Sequence, residues 1–337
     1  MRALLILTVK NEAAFLLEWL AHHLTCGFTH VLAFSNDCAD GTDLMLDRLQ
    51  AMGHVTHVRN SGPHPEGPQW AALKAADRHP AVKAADWLLF SDIDEFVNIH
   101  VGDHTLPALL AKLPVADALA LTWRLFGNAG VVAYQDRPVT ETFIRAAPAT
   151  LGWPWRAQMF KTLFRNDGAY RKLGVHRPRN PDPARTPRWF DGSGRAIGPS
   201  PRLFSDYRQD NYQLVQLNHY ALGAAESYLV KADRGRANRE AQTFDMGYWV
   251  ERNLCEVEDT TITALDSAPL RAEFLADPIL GPLHQQAVHW RHARFAALMA
   301  DEPWRALFGR LLMAPLSRAL SPTEAAPIHH HIPRPPD

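Results

Sequence analysis

Around position 90 the chain passes from Trp87-Leu88-Leu89-Phe90 into Ser91-Asp92-Ile93-Asp94-Glu95-Phe96, an apolar run that breaks into three carboxylates within four residues. Four bulky apolar residues in succession predict a strand covered on both faces, and side chains two apart on a strand point the same way. Asp92 and Asp94 are therefore expected side by side. Like charges so placed raise each other's pKa unless a cation or hydrogen-bond donors offset the repulsion. A hard divalent ion, Mg2+ or Mn2+, suits paired oxygen ligands and keeps positions open for phosphate oxygens. The plainer alternative is that these acids end a strand and cap the next segment, because Asp-x-Asp alone is short and Asp is common.

The elements before this junction must position it. Residues 4–9 are a compact apolar strand, and 13–26 carry Phe15, Leu16, Trp19, Leu20 and His23 at three-four intervals, which predicts a helix. A second strand at 31–34, a polar loop at 35–42, a helix at 43–52, a third strand at 54–58 and a helix at 69–78 lead to the strand at Trp87. Strands and helices alternating through short loops imply an α/β fold with a mostly parallel sheet, in which ligands bind at the carboxyl ends of strands. Residues 10–12, 35–40 and 92–95 all fall at such ends.

Beyond residue 100 the pattern loosens. A helix is expected at 106–113, a strand at 118–123, a turn at 126–130 and a last strand at 214–217 running into Asn218-His219-Tyr220. Residues 177–201, crowded with Pro, Arg and Gly, read as an irregular stretch able to serve as a mobile flap. The helix expected at 226–239 holds Lys231, Arg234, Arg236 and Arg239, charges that ordinarily form a solvated face. The implied division is 1–240 for the main domain, with halves 1–100 and 101–240, then a helical extension at 241–320 and a disordered tail at 321–337.

Composition bounds the rest. A chain of 337 residues buries a substantial core without staples, and three scattered cysteines, Cys26, Cys38 and Cys255, suggest neither a disulfide framework nor a thiolate zinc site. A formal net charge of -1 argues against nucleic-acid binding through global charge. The apolar start resembles a signal peptide only until Lys10-Asn11-Glu12, and no apolar stretch reaches the roughly 20 residues of a membrane span. A cytoplasmic protein is expected, with peripheral association at the inner face of a membrane left open.

Thr8-Val9-Lys10-Asn11-Glu12, Ser35-Asn36-Asp37 with Asp40-Gly41-Thr42, and Asp92-Ile93-Asp94-Glu95-Phe96 together resemble GT-A-fold glycosyltransferases of the family 2-like and family 92-like kinds. Fainter matches follow at Trp123-Arg124-Leu125-Phe126-Gly127, Gly174-Val175-His176-Arg177-Pro178 and Asn218-His219-Tyr220. The resemblance implies a Rossmann-like nucleotide-diphospho-sugar transferase fold with C-terminal helices, acting in glycan or polysaccharide biosynthesis. By its logic Thr8, Asn11, Glu12 and Asp37 contact the nucleoside, although Asn11 and Glu12 are also placed to cap a helix. Asp40-Gly41-Thr42 reads as a turn and helix start. Asp92 and Asp94 would hold Mn2+ or Mg2+ against the donor's diphosphate, with His219 completing the shell and His176 as the competing histidine. Inverting transfer further implies an acceptor-side base, for which Asp191 is the candidate and Glu141 and Asp206 are alternatives. Lys161, Lys231 and Arg234 could neutralise phosphate, and Trp123, Trp153, Trp155 and Trp189 could stack on sugars, though core packing competes for them. A glycan or lipid-linked acceptor is the implied partner.

Three rivals stand beside this reading. A haloacid-dehalogenase-type phosphatase wants Thr or Val two positions after the second Asp, where Phe96 stands. A nucleotidyltransferase of similar architecture usually opens with a Gly-rich loop after its first strand, and the segment from Thr8 to Glu12 has no Gly. An inactive sugar- or nucleotide-binding protein on the same scaffold would have no use for paired, uncompensated acids.

Overall fold

The computed structural model describes residues 1–198, 203–235 and 245–330. Its first part runs β1 (Ala3–Val9), α1 (Ala13–Thr25), β2 (His30–Ser35), α2 (Thr42–Ala51), β3 (Val55–Arg59), α3 (Pro68–Ala76), α4 (Pro80–Ala84), β4 (Trp87–Ser91), β5 (Glu95–Ile99), α5 (Leu106–Lys112) and β6 (Ala118–Leu125). Every residue of β1 and β4 is buried, as continuous apolar runs require. Strands β4, β1, β2 and β3 pair in parallel, and the register sets Val9 beside Ser35 and Leu7 beside Ser91. The polar segments following β1, β2 and β4 thus share one edge of the sheet.

Next come α6 (Val139–Thr142), β7 (Arg145–Ala146), β8 (Phe160–Arg165), β9 (Tyr170–Lys172), β10 (Arg179–Pro181), β11 (Trp189–Asp191), β12 (Ala196–Ile197) and β13 (Val215–His219). The sheet is mixed here. Strand β8 enters antiparallel between β4 and β6, and β13 pairs antiparallel with β5 and parallel with β6. In that register His219 lies opposite Glu95, so the end of β13 meets the start of the acidic junction. The stretch 177–201 is not a loose flap where it is described: β11 pairs with β6 and β12 folds back on β11. Trp189 is buried against Phe160, which ties this segment to the core. Residues 199–201 of the expected flap lie outside the described residues.

Helices complete the chain: α7 (Ala225–Asp233), α8 (Met246–Arg252), a short strand β14 (Val257–Glu258), α9 (Ala268–Ala276), α10 (Leu280–Leu298), α11 (Glu302–Met313) and α12 (Pro322–His330). Helix α10 packs on α1, α2, α7 and α9, which explains why α1 is apolar beyond a single stripe. The expected disordered tail is corrected in part. Residues Pro322–His330 form a helix held by His329, which bonds Tyr207 Oη at 2.7 Å and the Gly152 carbonyl at 2.8 Å. Residues 331–337, and Arg236 and Arg239 of the expected helix, lie outside the described residues.

Beneath the acidic junction α1 supplies a rigid support. Trp19, fully buried, donates its indole N–H to the carbonyls of Asp92 at 3.1 Å and Glu95 at 2.9 Å. His22 Nε2 bonds the Val97 carbonyl at 2.8 Å, and His23 bridges the Trp19 carbonyl and the Val97 N–H. Burial lowers His22 to about 4 and His23 well below its ordinary value. With folded values below the unfolded ~6.5, the unfolded chain binds more protons between the two, so the stability contribution is full above pH 6.5 and is lost as pH falls. Each such histidine contributes a slope of about 1.4 kcal/mol per pH unit in that window. Urea unfolding between pH 7 and 4 should therefore show a shallower decline in His23→Gln than in the wild type. Parallel curves would mean that His23 charges without cost.

Candidate active site

A cleft of about 210 Å³ opens at the carboxyl ends of β1 and β4, lined on one wall by Thr8, Gln69, Asp92, Asp94, His176 and His219. The facing wall carries Lys231, Arg234, Tyr248 and Arg252 from α7, α8 and the residue after α7. The acidic turn is tight: Glu95 N–H returns to the Asp92 carbonyl at 3.1 Å, and Tyr220 N–H bonds the Asp94 carbonyl at 2.9 Å.

The two aspartates differ in what they face. Asp92 Oδ2 accepts from Lys161 Nζ at 2.8 Å, while its Oδ1 lies 3.4 Å from Gln69 Nε2. Lys161 is 0% exposed and approaches Glu95 at 3.7 Å as well. Burial opposes its charge, yet Asp92 and Glu95 hold it protonated, above its ordinary value. Asp94 Oδ2 accepts from Lys231 Nζ at 2.6 Å and stands 3.7 Å from His219 Nε2. Against the upward push of burial, Lys231 and His219 keep Asp94 well below the usual carboxylate range. Burial lowers His219 and favours its neutral, metal-binding form.

Glu95 is 0% exposed. It accepts from Trp123 Nε1 at 2.7 Å, Asp92 N–H at 2.9 Å and Ser91 Oγ at 3.2 Å. Burial, reinforced by Asp92 and Asp94, pushes its carboxyl up to about 8. It braces the turn from behind.

A divalent ion fits this donor set in reduced form. Among the described residues no three His, Cys, Asp or Glu side chains converge as a metal cage. Of the expected trio of Asp92, Asp94 and His219, the structure brings Asp94 and His219 to 3.7 Å, while Asp92 faces Lys161 and Asp94 also accepts from Lys231. Asp94 and His219 are the pair that could hold one cation between them.

The nucleoside candidates divide likewise. Thr8 lines the cleft with a buried hydroxyl that has no partner among the described residues. Asn11, in the left-handed region at φ 52°, accepts from Ala39 N–H at 2.7 Å and braces the second loop. Glu12 caps nothing: the α1 N-terminus is capped from across the sheet edge by Asp40 on Ala13 N–H at 2.8 Å and Thr42 on Glu12 N–H at 3.1 Å. Instead Glu12 grips Arg234 at 2.6 Å and approaches Arg291 of α10 at 3.8 Å. Asp37, also in the left-handed region at φ 45°, is exposed at the rim, 3.3 Å from Gly62 N–H, and does not line the cleft.

Asp191 is not at this site. Its carboxylate takes the Arg195 guanidinium at 2.7 Å and the N–H groups of Ser193 and Arg195, each at 2.9 Å, and it faces a second cavity with Trp189 and Phe204. Asp206 borders that same cavity and pairs with Arg208, and Glu141 is exposed on α6. None of the three lines the cleft. His176 does, with Nδ1–H donated to the Phe160 carbonyl at 3.0 Å, which leaves Nε2 as its basic nitrogen. Trp123 also lines the cleft, whereas Trp153 and Trp155 pack on each other elsewhere.

The sequence model described as Glycosyltransferase family 92 matches residues 7–215. The chain belongs to glycosyltransferase family 92. Its mixed sheet with a parallel N-terminal half is the GT-A fold that this membership carries. A family 92 protein of Ricinus communis is 27% identical over 144 residues, covering 39% of this chain and 24% of that protein. One of Oryza sativa subsp. japonica is 27% identical over 139 residues, covering 39% and 22%. The match thus spans about a quarter of the length of these relatives. Among solved structures, S. aureus TarS 1-349 is 17% identical, with a TM-score of 0.32, covering 49% of this chain and 47% of that one. Glucosyl-3-phosphoglycerate synthase from Mycobacterium tuberculosis, in complex with Mn2+, UDP and glucosyl-3-phosphoglycerate, is 17% identical, with a TM-score of 0.25, covering 39% and 46%. No helix among the described residues is long and apolar enough to cross a membrane.

Sequence reasoning missed Gln69, Tyr248 and Arg252, which belong to no motif, and misjudged Lys231, which is 9% exposed on what reads as a solvated face. Five buried polar atoms among the cleft's lining residues have no partner among the described residues: Thr8 Oγ1, Gln69 Oε1, His219 Nδ1, Arg234 Nε and Arg252 Nε.

Proposed function

We propose that this family 92 protein is a glycosyltransferase that takes a sugar from a nucleotide-diphosphate donor in this cleft. The unpartnered buried atoms carry the reading. Each costs about 1–3 kcal/mol if left unpaired, so a ligand with matching groups is favoured. The arginine Nε–H groups call for an anionic acceptor and Gln69 Oε1 calls for a donor such as a hydroxyl, and a nucleotide sugar carries both. Asp94 and His219 would hold Mn2+ or Mg2+, which would offset the negative charge of the departing diphosphate. Thr8 and the exposed Asp37 are offered to the nucleoside at the rim, and His176 Nε2 is offered to the acceptor hydroxyl in place of Asp191. The product would enter a glycan or polysaccharide, on a glycan or lipid-linked acceptor, with inversion at the transferred carbon.

Thermal unfolding with UDP or GDP, with and without Mn2+, tests the reading. A rise in Tm with one nucleotide diphosphate that requires the metal is expected, together with release of free nucleotide from the matching donor sugar. No shift with either nucleotide, with or without metal, would overturn it. A shift without turnover of any nucleotide sugar would point to a binding protein on this scaffold.

A further inference from the structure

The charges of the cleft pair off unevenly. Lys161 is matched by Asp92, Lys231 by Asp94, and Arg234 by Glu12 and the Lys10 carbonyl at 2.8 Å. Arg252, the last residue of α8, is 8% exposed. Among the described residues its nearest carboxylate is that of its chain neighbour Glu251 at 3.5 Å, the edge of hydrogen bonding. Its guanidinium carbon lies 3.7 Å from the centre of the Tyr248 ring, one terminal N–H reaches the Tyr248 carbonyl at 3.4 Å, and its Nε–H is buried without a partner among the described residues. A buried cation without a close counter-charge is costly, and the deficit is removed by an anion that binds there. The planar fork of a guanidinium matches phosphate oxygens. Arg234 adds a second unpartnered Nε–H on the same wall, held in place by Glu12.

We propose that Arg252 and Arg234 receive the diphosphate of the donor, and that Glu12 is the positioning residue that aims Arg234 at it. This rests on the donor reading above and adds an orientation: the phosphates lie against the α7 and α8 wall, and the sugar hydroxyls face Gln69 and His176. Glu12, expected to read the nucleoside, thereby acts through an arginine instead.

Isothermal titration with UDP, GDP, inorganic pyrophosphate, uridine and guanosine, in the presence of Mn2+, separates the possibilities. The wild type should bind pyrophosphate and at least one diphosphate. Arg252→Gln should weaken both on the order of 30-fold or more while leaving any binding of the free nucleoside unchanged. Arg252→Lys should fall between, because charge is kept and the fork is lost. Glu12→Gln should weaken pyrophosphate but not the nucleoside, a split that general loosening of the fold would not produce. If Arg252→Gln fails to fold, Arg252→Lys and Glu12→Gln decide the matter. Diphosphate binding as tight as wild type in these variants would overturn the inference while leaving the donor reading standing. Binding of none of the phosphate probes by the wild type would overturn both.

Discussion

Asp94→Asn should lower sugar transfer by about 10²–10³-fold, the usual loss when one element of transition-state charge stabilisation is removed, while Asp92→Asn should cost far less. The two acids look equivalent in sequence but have different neighbours. Asp94 stands with His219 and Lys231, so the neutral amide would remove half of the proposed cation pair and leave Lys231 buried beside an uncharged group. Asp92 is 35% exposed at its side chain, and Lys161, which it serves, keeps Glu95 at 3.7 Å as a second carboxylate. Nucleotide release from a panel of UDP and GDP sugars, with Mn2+ titrated from zero, measures both. A rightward shift of the metal dependence in Asp94→Asn and none in Asp92→Asn is the expected pattern. Equal losses would restore the paired-ligand reading, and an Asp94→Asn variant with full activity would remove the cleft from the chemistry altogether.

The parts of the molecule that the sequence discloses are those where local pattern and burial agree. Strand β1 and β4 are apolar runs buried from end to end, and the polar residues that follow them must lie at the carboxyl edge of a parallel sheet. His219 was within reach for the same reason, because it ends an apolar strand. Strand β8 was not. Its pattern, Phe160-Lys161-Thr162-Leu163-Phe164, puts a lysine among core residues, and only the third dimension shows that Lys161 points inward to Asp92. Lys231 deceives in the same way, since a charged helix reads as solvated until α10 and α11 are packed on it. Asp191-Gly192 lies away from the cleft for a different reason. A side chain at position 192 would meet the Asn211 carbonyl at 2.2 Å, so this pair marks a close approach of two backbones, with Asp191 holding the turn.

The support under the acidic turn yields the largest expected effect on stability. Trp19→Ala should cost about 3–5 kcal/mol, the range for deleting a large aromatic from a packed core. Trp19 is fully buried, its ring lies 4.4 Å from His23, and its indole N–H serves the carbonyls of Asp92 and Glu95 together. The volume and the hydrogen bonds can be told apart. Trp19→Phe keeps most of the apolar surface and withdraws only the donor, so its cost should be about 1–3 kcal/mol. Urea unfolding gives both numbers, and nucleotide affinity measured on the same variants shows what the donor does for the site. Because the indole joins the two ends of the turn that carries Asp94, Trp19→Phe should weaken metal-dependent UDP or GDP binding more than its small stability loss suggests. A core variant of similar cost far from the turn, such as Leu49→Ala, should leave that binding unchanged. If both variants bind alike, the indole packs the core without setting the position of Asp94.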